Sequence, residues 1–154
     1  MTSAQVSYGF LKSPEALDPD HNATRLTASI AQNWQLKDGG SLSGMIAFGR
    51  NSGHGGERFS DALLAEAAYI RGKQSIFTRI ERVEKDALPG ATPGLHGLTK
   101  LTIGCFRVVR TGPDAEHSVG ASLDLHSIPQ GVQGSYGRSP VGINVMYRVR
   151  LPRL

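Results

Sequence analysis

Asp124 and His126 stand two positions apart, and Ser118 and Ser122 have the same parity along the chain. A hydrolase needs a nucleophile, a base and an orienting acid brought within hydrogen-bond reach. Alternate residues of one strand share a face but stand about 7 Å apart, so this spacing describes a polar row, and no catalysis is expected. His21, His54, His96, His117 and His126 form neither an HxH nor an HExxH pair. The first three fall in long gaps between apolar stretches, together with Asp18, Asp20 and Glu57. Solvated loop residues account for them, and no metal or other cofactor is expected. The run Ser52-Gly53-His54-Gly55-Gly56 after Asn51 lacks the GK[ST] of a phosphate loop and reads as an exposed loop. The single Cys105 excludes an internal disulfide and a cysteine metal cluster, and reads as a small outward-facing apolar residue.

The elements that carry these residues announce themselves by a period of two, the signature of strands about ten residues long. Ala4, Val6, Tyr8 and Phe10 alternate with Gln5, Ser7 and Gly9. Leu26, Ala28, Ile30, Trp34 and Leu36 alternate with Arg25, Thr27, Ser29, Asn33 and Gln35, with Gln32 interrupting the apolar row. Leu42, Gly44, Ile46 and Phe48 oppose Ser43, Met45, Ala47 and Gly49. Further on, Ile76, Thr78 and Ile80 oppose Phe77, Arg79 and Glu81, and Leu101, Ile103 and Cys105 oppose Lys100, Thr102 and Gly104. Val119, Ala121, Leu123 and Leu125 oppose Ser118, Gly120, Ser122, Asp124 and His126. The last stretch, Val141 to Leu151, is the most regular, with Val141, Ile143, Val145, Tyr147, Val149 and Leu151 on one face.

Residues 60 to 71 are rich in helix formers, and propensity alone gives a helix. The flanking pattern instead favours a strand with Leu63, Ala65, Ala67 and Tyr69 on the apolar face and Ser60, Glu66 and Ala68 opposite. Arg82 and Arg107 continue apolar rows. A charge there costs roughly 2–4 kcal/mol at a bilayer midplane and much less near an interface, so both are expected near strand ends.

Gap lengths alternate as well. Lys37 to Gly40 and Arg71 to Gln74 are short, whereas Ser13 to His21, Asn51 to Phe59, Asp86 to Gly97 and Ser127 to Pro140 are long and fall on one side. Outer-membrane barrels have this asymmetry, with tight periplasmic turns and longer outer loops. The expected fold is therefore all-β: an antiparallel up-and-down (meander) β-barrel of about eight strands, or the C-terminal strands of a larger transmembrane β-barrel. Residues 1–154 form a single domain in this reading. Met1 enters the first stretch without a charged n-region, apolar h-region or cleavage site, so an export signal or further strands are expected in a longer gene.

The C-terminal run Asn144-Val-Met-Tyr147-Arg-Val149-Arg-Leu151 resembles the closing strand of bacterial outer-membrane proteins, where the family pattern has a glycine at the place of Met146 and an aromatic end. Val6-Ser-Tyr-Gly-Phe-Leu-Lys-Ser-Pro-Glu-Ala-Leu17, Gly49-Arg-Asn51 and Ser60-Asp-Ala-Leu-Leu64 resemble the C-terminal part of an uncharacterised proteobacterial outer-membrane β-barrel (porin-like) family. The resemblance implies a place in the Gram-negative outer membrane, contact with its lipid, and recognition of the C-terminal strand by the barrel-assembly machinery. It implies no catalytic motif.

In this fold Tyr8, Phe10, Trp34, Phe48, Tyr69 and Tyr147 make a lipid-facing girdle, thin because aromatics are only 6% of the chain. Arg25, Glu66, Arg79, Glu81, Lys100, Asp124, His126, Arg148 and Arg150 line the lumen. In a narrow barrel they pair across the interior; in a wider one they line a passage for small polar or anionic solutes. The expected function is structural or passive permeation. The alternative is a soluble lipocalin-like barrel binding a small apolar ligand, in which the apolar row points inward. No apolar run reaches the eighteen residues of a membrane-spanning helix. The net charge of +4 is scattered rather than clustered, which gives nucleic-acid binding no support.

Overall fold

The computed structural model describes residues 1–12, 22–52, 59–85, 94, 96–130 and 133–151. Eight strands follow one another: β1 (Thr2–Leu11), β2 (Ala23–Gln35), β3 (Ser41–Ser52), β4 (Phe59–Arg71), β5 (Gln74–Lys85), β6 (His96–Thr111), β7 (Glu116–Ser127) and β8 (Val141–Arg150). A helical turn, α1 (Gln133–Tyr136), lies between the last two. The strands form one antiparallel sheet in sequence order, as the alternating pattern predicts. The sheet is an open meander: the hydrogen-bonded order ends at β1 and at β8.

Residues 59–71 are a strand throughout, although their intrinsic preference is helical. Ladders on both sides, to β3 and β5, satisfy the backbone of this segment, and tertiary pairing overrides propensity. Two boundaries differ from the sequence expectation. β3 runs to Ser52 and β6 starts at His96, so both long gaps are shorter than drawn, because ladder pairing continues past the last apolar residue. The gap from Ser13 to His21 lies outside the described residues.

The tight connections are specified by local chemistry. Arg71 pairs with Gln74 across the two-residue turn Gly72–Lys73. Gly72 has φ +57°, the positive value that primed hairpin turns need at their first central position. Between β2 and β3, Gly39 adopts φ +79°, and the Leu36 amide donates to the Gly40 carbonyl at 2.8 Å. There Asp38 accepts from the Gly40 amide at 3.0 Å and from the Tyr69 hydroxyl at 2.9 Å, with Arg71 at 3.4 Å.

One face of the sheet is lined by glycines that seat aromatics. A Cβ on Gly104 would lie 2.3 Å from Phe77 Cζ and 2.8 Å from Ser122 Cβ. One on Gly120 would lie 2.5 Å from both the Cys105 carbonyl oxygen and Phe106 Cδ1. Phe77 sits directly opposite Gly104 and Phe106 opposite Gly120, so each ring lies over its neighbour's bare backbone, and the two rings stack at 5.9 Å.

Gly104→Ala is expected to lower stability by about 1–3 kcal/mol through overpacking, whereas Gly9→Ala, which has open space, is expected to be neutral or slightly stabilising. Urea unfolding followed by circular dichroism separates the two. The hydrogen bond from the Gly40 amide, then that from Tyr69, holds the Asp38 carboxyl below its usual value of 3.8. A lowered carboxyl pKa stabilises the fold above its unfolded value, and that contribution disappears as pH falls through the folded one. Asp38→Asn is therefore expected to melt below the parent at neutral pH, with the difference closing under acid.

Candidate functional site

The two faces of the sheet have opposite chemistry. On the inner face a cavity of about 810 Å³ is lined by Met45, Glu66, Arg79, Lys100, Asp124 and Asn144, among others. Along its wall the charges are arranged in neighbouring registers. Glu66 sits opposite Arg79, and Arg79 Nη2 lies 3.0 Å from Glu81 Oε2. Glu81 in turn sits opposite Lys100, whose Nζ reaches Asp124 Oδ2 at 3.2 Å. Asp124 also accepts from Thr102 Oγ1 at 2.6 Å and from Asn144 Nδ2 at 3.1 Å.

Sequence reasoning pairs these charges across the interior, and here the geometry differs. The pairs run along one wall, β5 to β7, while the corresponding levels of β1 to β3 carry Ser3, Gln5, Ser29, Ala31, Met45 and Ala47. The reason is distance: same-face neighbours along a strand or diagonally across a ladder stand about 7 Å apart, within reach of the long Arg, Lys and Glu side chains, whereas the open cavity separates the walls.

The remaining nominated residues lie toward the ends of the same face. Arg25 Nε donates to Asn51 Oδ1 at 2.8 Å, Arg150 approaches Glu116 at 3.7 Å, and Arg148 lies 4.5 Å over the Phe106 ring. His126 Nδ1 is 3.2 Å from the Pro140 carbonyl oxygen. Ser118 is 1% exposed and its hydroxyl has no partner. The polar row of β7 therefore does not assemble a nucleophile with a base. Among the described residues no three metal-ligating side chains gather. His96 is the first residue of β6 rather than a loop residue, while His21 and His54 lie outside the described residues.

The outer face is apolar and exposed. Ile143 and Val145 on β8 are 76% and 86% accessible, and Val6, Ile30, Ile46, Leu63, Ile76, Ile80, Ile103 and Leu123 continue the surface across the sheet. Cys105 belongs to it. Of the aromatics singled out by position, Tyr8, Phe10 and Phe48 stand toward the long-loop end, and Trp34, Tyr69 and Tyr147 toward the tight-turn end. Tyr147 Oη lies 2.6 Å from His117 Nδ1, with the rings stacked at 5.9 Å.

Charges bound this apolar surface on both sides. Arg82 is level with Leu63 and Thr99 at the long-loop end, whereas Arg107 is level with Gln74 and Val119 at the tight-turn end. On β4 the bounds are Asp61 and Arg71. At about 3.4 Å per residue they are about 34 Å apart along the strand. The sequence signal missed two clusters at these borders. Arg50 makes a two-pronged contact with Asp61, 2.7 Å for each bond, and lies within 6 Å of both Phe48 and Phe59. The Asp38–Tyr69–Arg71 cluster was equally hidden, since its members come from a turn and a strand thirty residues away. Arg50 and Asp61 do carry a readable signal, opposite charges on the apolar parity of consecutive strands.

No family model, curated protein or solved structure matches the chain.

Removal of the carboxylate at the centre of the inner network, Asp124→Ala, is expected to cost about 1–3 kcal/mol because Lys100 and Thr102 lose their acceptor and Asn144 keeps only Ser122. Arg79→Ala, with a side chain half exposed, is expected to cost under about 1 kcal/mol. Denaturant titration of both variants against the parent checks the order.

Proposed function

We propose that this chain is part or all of a Gram-negative outer-membrane β-barrel protein with a structural or passive, porin-like permeation role and no catalysis. The observation that carries the reading is the exposed apolar face, bounded on β4 by Asp61 and Arg71 about 34 Å apart along the strand, long enough for a tilted strand to cross the roughly 25 Å apolar band of outer-membrane barrels. Burying that surface in lipid removes it from water, and from β2 to β7 it costs no backbone hydrogen bonds, because ladders on both sides satisfy the backbone internally. The aromatics at its two borders supply interfacial anchors.

A soluble lipocalin-like barrel would turn the same row inward around a ligand. The half-buried and charge-paired inner face supports the opposite assignment, since Glu66, Arg79, Glu81, Lys100 and Asp124 line its cavity. Because its charges are of both signs, Glu66, Glu81 and Asp124 against Arg79 and Lys100, passage through it would show weak charge selectivity. The regular alternation of β8 is the feature through which the assembly machinery would recognise the chain.

The reading is tested by folding the protein in detergent micelles and comparing its gel mobility before and after boiling. A heat-dependent shift with β-type dichroism supports it, and a monodisperse β protein in detergent-free buffer overturns it. Substitution at mid-band discriminates further. Ile103→Arg is expected to cost roughly 2–4 kcal/mol in a lipid-embedded protein, and Thr99→Arg at the border at most about 1 kcal/mol. On a water-facing surface neither would matter.

A further inference from the structure

The inner row of β5 and β6 changes character where it passes the long-loop border. Glu81 stands opposite Lys100, but the next pair of the same parity is Val83 opposite Leu98, one step beyond the level of Arg82 and Thr99. The last pair of this ladder is Lys85 opposite His96. Ile128, just after β7, and Pro140, just before β8, come to the same place, and with Val83 and Leu98 they line a cavity of about 460 Å³. Glu81 and Lys100 line both this cavity and the larger one described above, so the two adjoin on the inner face.

Lipid on the outer face and water on the inner one give no reason for apolar side chains to gather on the polar parity. These also leave space among themselves: Val83, Leu98, Ile128 and Pro140 are each half-buried, and the cavity remains between them. Its wall is held by hydrogen bonds that need no occupant. The Pro140 carbonyl accepts from the His126 amide at 3.1 Å and lies 3.2 Å from His126 Nδ1, while Gln133 Nε2 donates to the Ile128 carbonyl at 3.0 Å. A pre-formed apolar concavity with a few polar groups is the usual form of a small-molecule site. The charges around it differ in commitment. Glu81 is engaged by Arg79 and Lys100 by Asp124, whereas Lys85 is exposed and pairs with no carboxylate among the described residues.

We propose that this cavity binds a small anionic amphiphile, an aryl or short alkyl carboxylate. Its apolar body occupies the space between Val83, Leu98, Ile128 and Pro140, and its carboxylate meets Lys85. A carboxylate suits the lining better than an ammonium, because Lys85 and Lys100 face a single acidic residue there, Glu81, which is already engaged. The site deepens the permeation role and rests on that reading: on the long-loop side of a porin-like barrel it is a capture point, where a solute dwells before it meets the charged wall. It is built from β5, β6 and the residues that flank the connection from β7 to β8, so it stands whether the barrel has eight strands or more.

The test uses the full chain in phosphatidylcholine nanodiscs at neutral pH, with empty nanodiscs as the baseline. Phenylpropionate, phenylpropionamide and propionate are titrated and followed by saturation-transfer NMR. Phenylpropionate is expected to bind saturably, in the millimolar range or tighter. The amide is expected to bind about threefold more weakly, the scale of an exposed ion pair. Propionate is expected to be weaker by about tenfold or more, the scale of burying an aryl ring. Lys85→Ala removes the difference between acid and amide and leaves the affinity of the amide as it was. Leu98→Asn weakens both aryl probes about fivefold by placing a polar group in the apolar wall. Val83→Asn, on the facing strand, does the same and serves if the Leu98 variant fails to fold.

Absence of saturable phenylpropionate binding overturns the proposal. So does a parent that binds acid and amide alike, or binding that none of the three substitutions alters. The parent's heat-dependent gel shift keeps the two readings apart. If the shift is present while these contrasts are absent, only the carboxylate site fails. If the parent is instead monodisperse in detergent-free buffer, the membrane reading fails and takes the capture role with it, even where the acid still binds.

Discussion

Antiparallel pairing of the backbone is the constraint on which everything else in this protein depends. Seven ladders link the eight strands in chain order, and each fixes which residues stand level and which face they share. Because side chains alternate with a period of two, a slip of one residue in any ladder would carry that strand's apolar row to the polar side. The registers instead keep one parity from β1 to β8. Ala4, Ile30, Ile46, Ala65, Ile80, Leu101, Leu125 and Val141 stand level across the sheet, although they come from eight separate segments. Among the described ladders the irregularity lies between Val108 and Arg110, beyond Arg107 and toward the tight-turn end of β6.

With parity held, stabilisation divides between the faces in an unusual way. Large apolar side chains, which in most domains form the core, are on the outside and pack against little within the chain. Cohesion on the inner face comes from glycine-seated rings and ion pairs. Phe77 and Phe106 cover the backbone at Gly104 and Gly120, and the Lys100–Asp124 pair collects Thr102 and Asn144. Such a division makes sense if the surrounding medium takes the place of the core. The arginines on the apolar parity, Arg50, Arg71, Arg82 and Arg107, follow the same logic, since each sits toward an end of its strand.

The tight turns serve the same end. Positive φ at Gly39 and Gly72 lets the chain reverse within a few residues, and Asp38, Tyr69 and Arg71 tie the two neighbouring turns together. This fastens the tight-turn side into one unit. On the opposite side Arg50 and Asp61 fasten β3 to β4.

The fold class, the number and order of strands and the face of nearly every side chain were legible in the sequence, because alternation is a local property that each segment carries by itself. Residues 59–71 show its reach: their composition favours a helix, yet the parity shared with neighbouring segments gave the right element. What lay beyond the sequence depends on which residues stand level across a ladder. Arg82 and Arg107 both read simply as charges near strand ends, and only the register put them at opposite borders of one band. The partners of Asp38 and Asp124, and the pairing of charges along one wall instead of across the interior, depend on distances between segments far apart in the chain. Strand pattern sets the face, but level and curvature arise from the ladders collectively, and these are decided only when the sheet has formed.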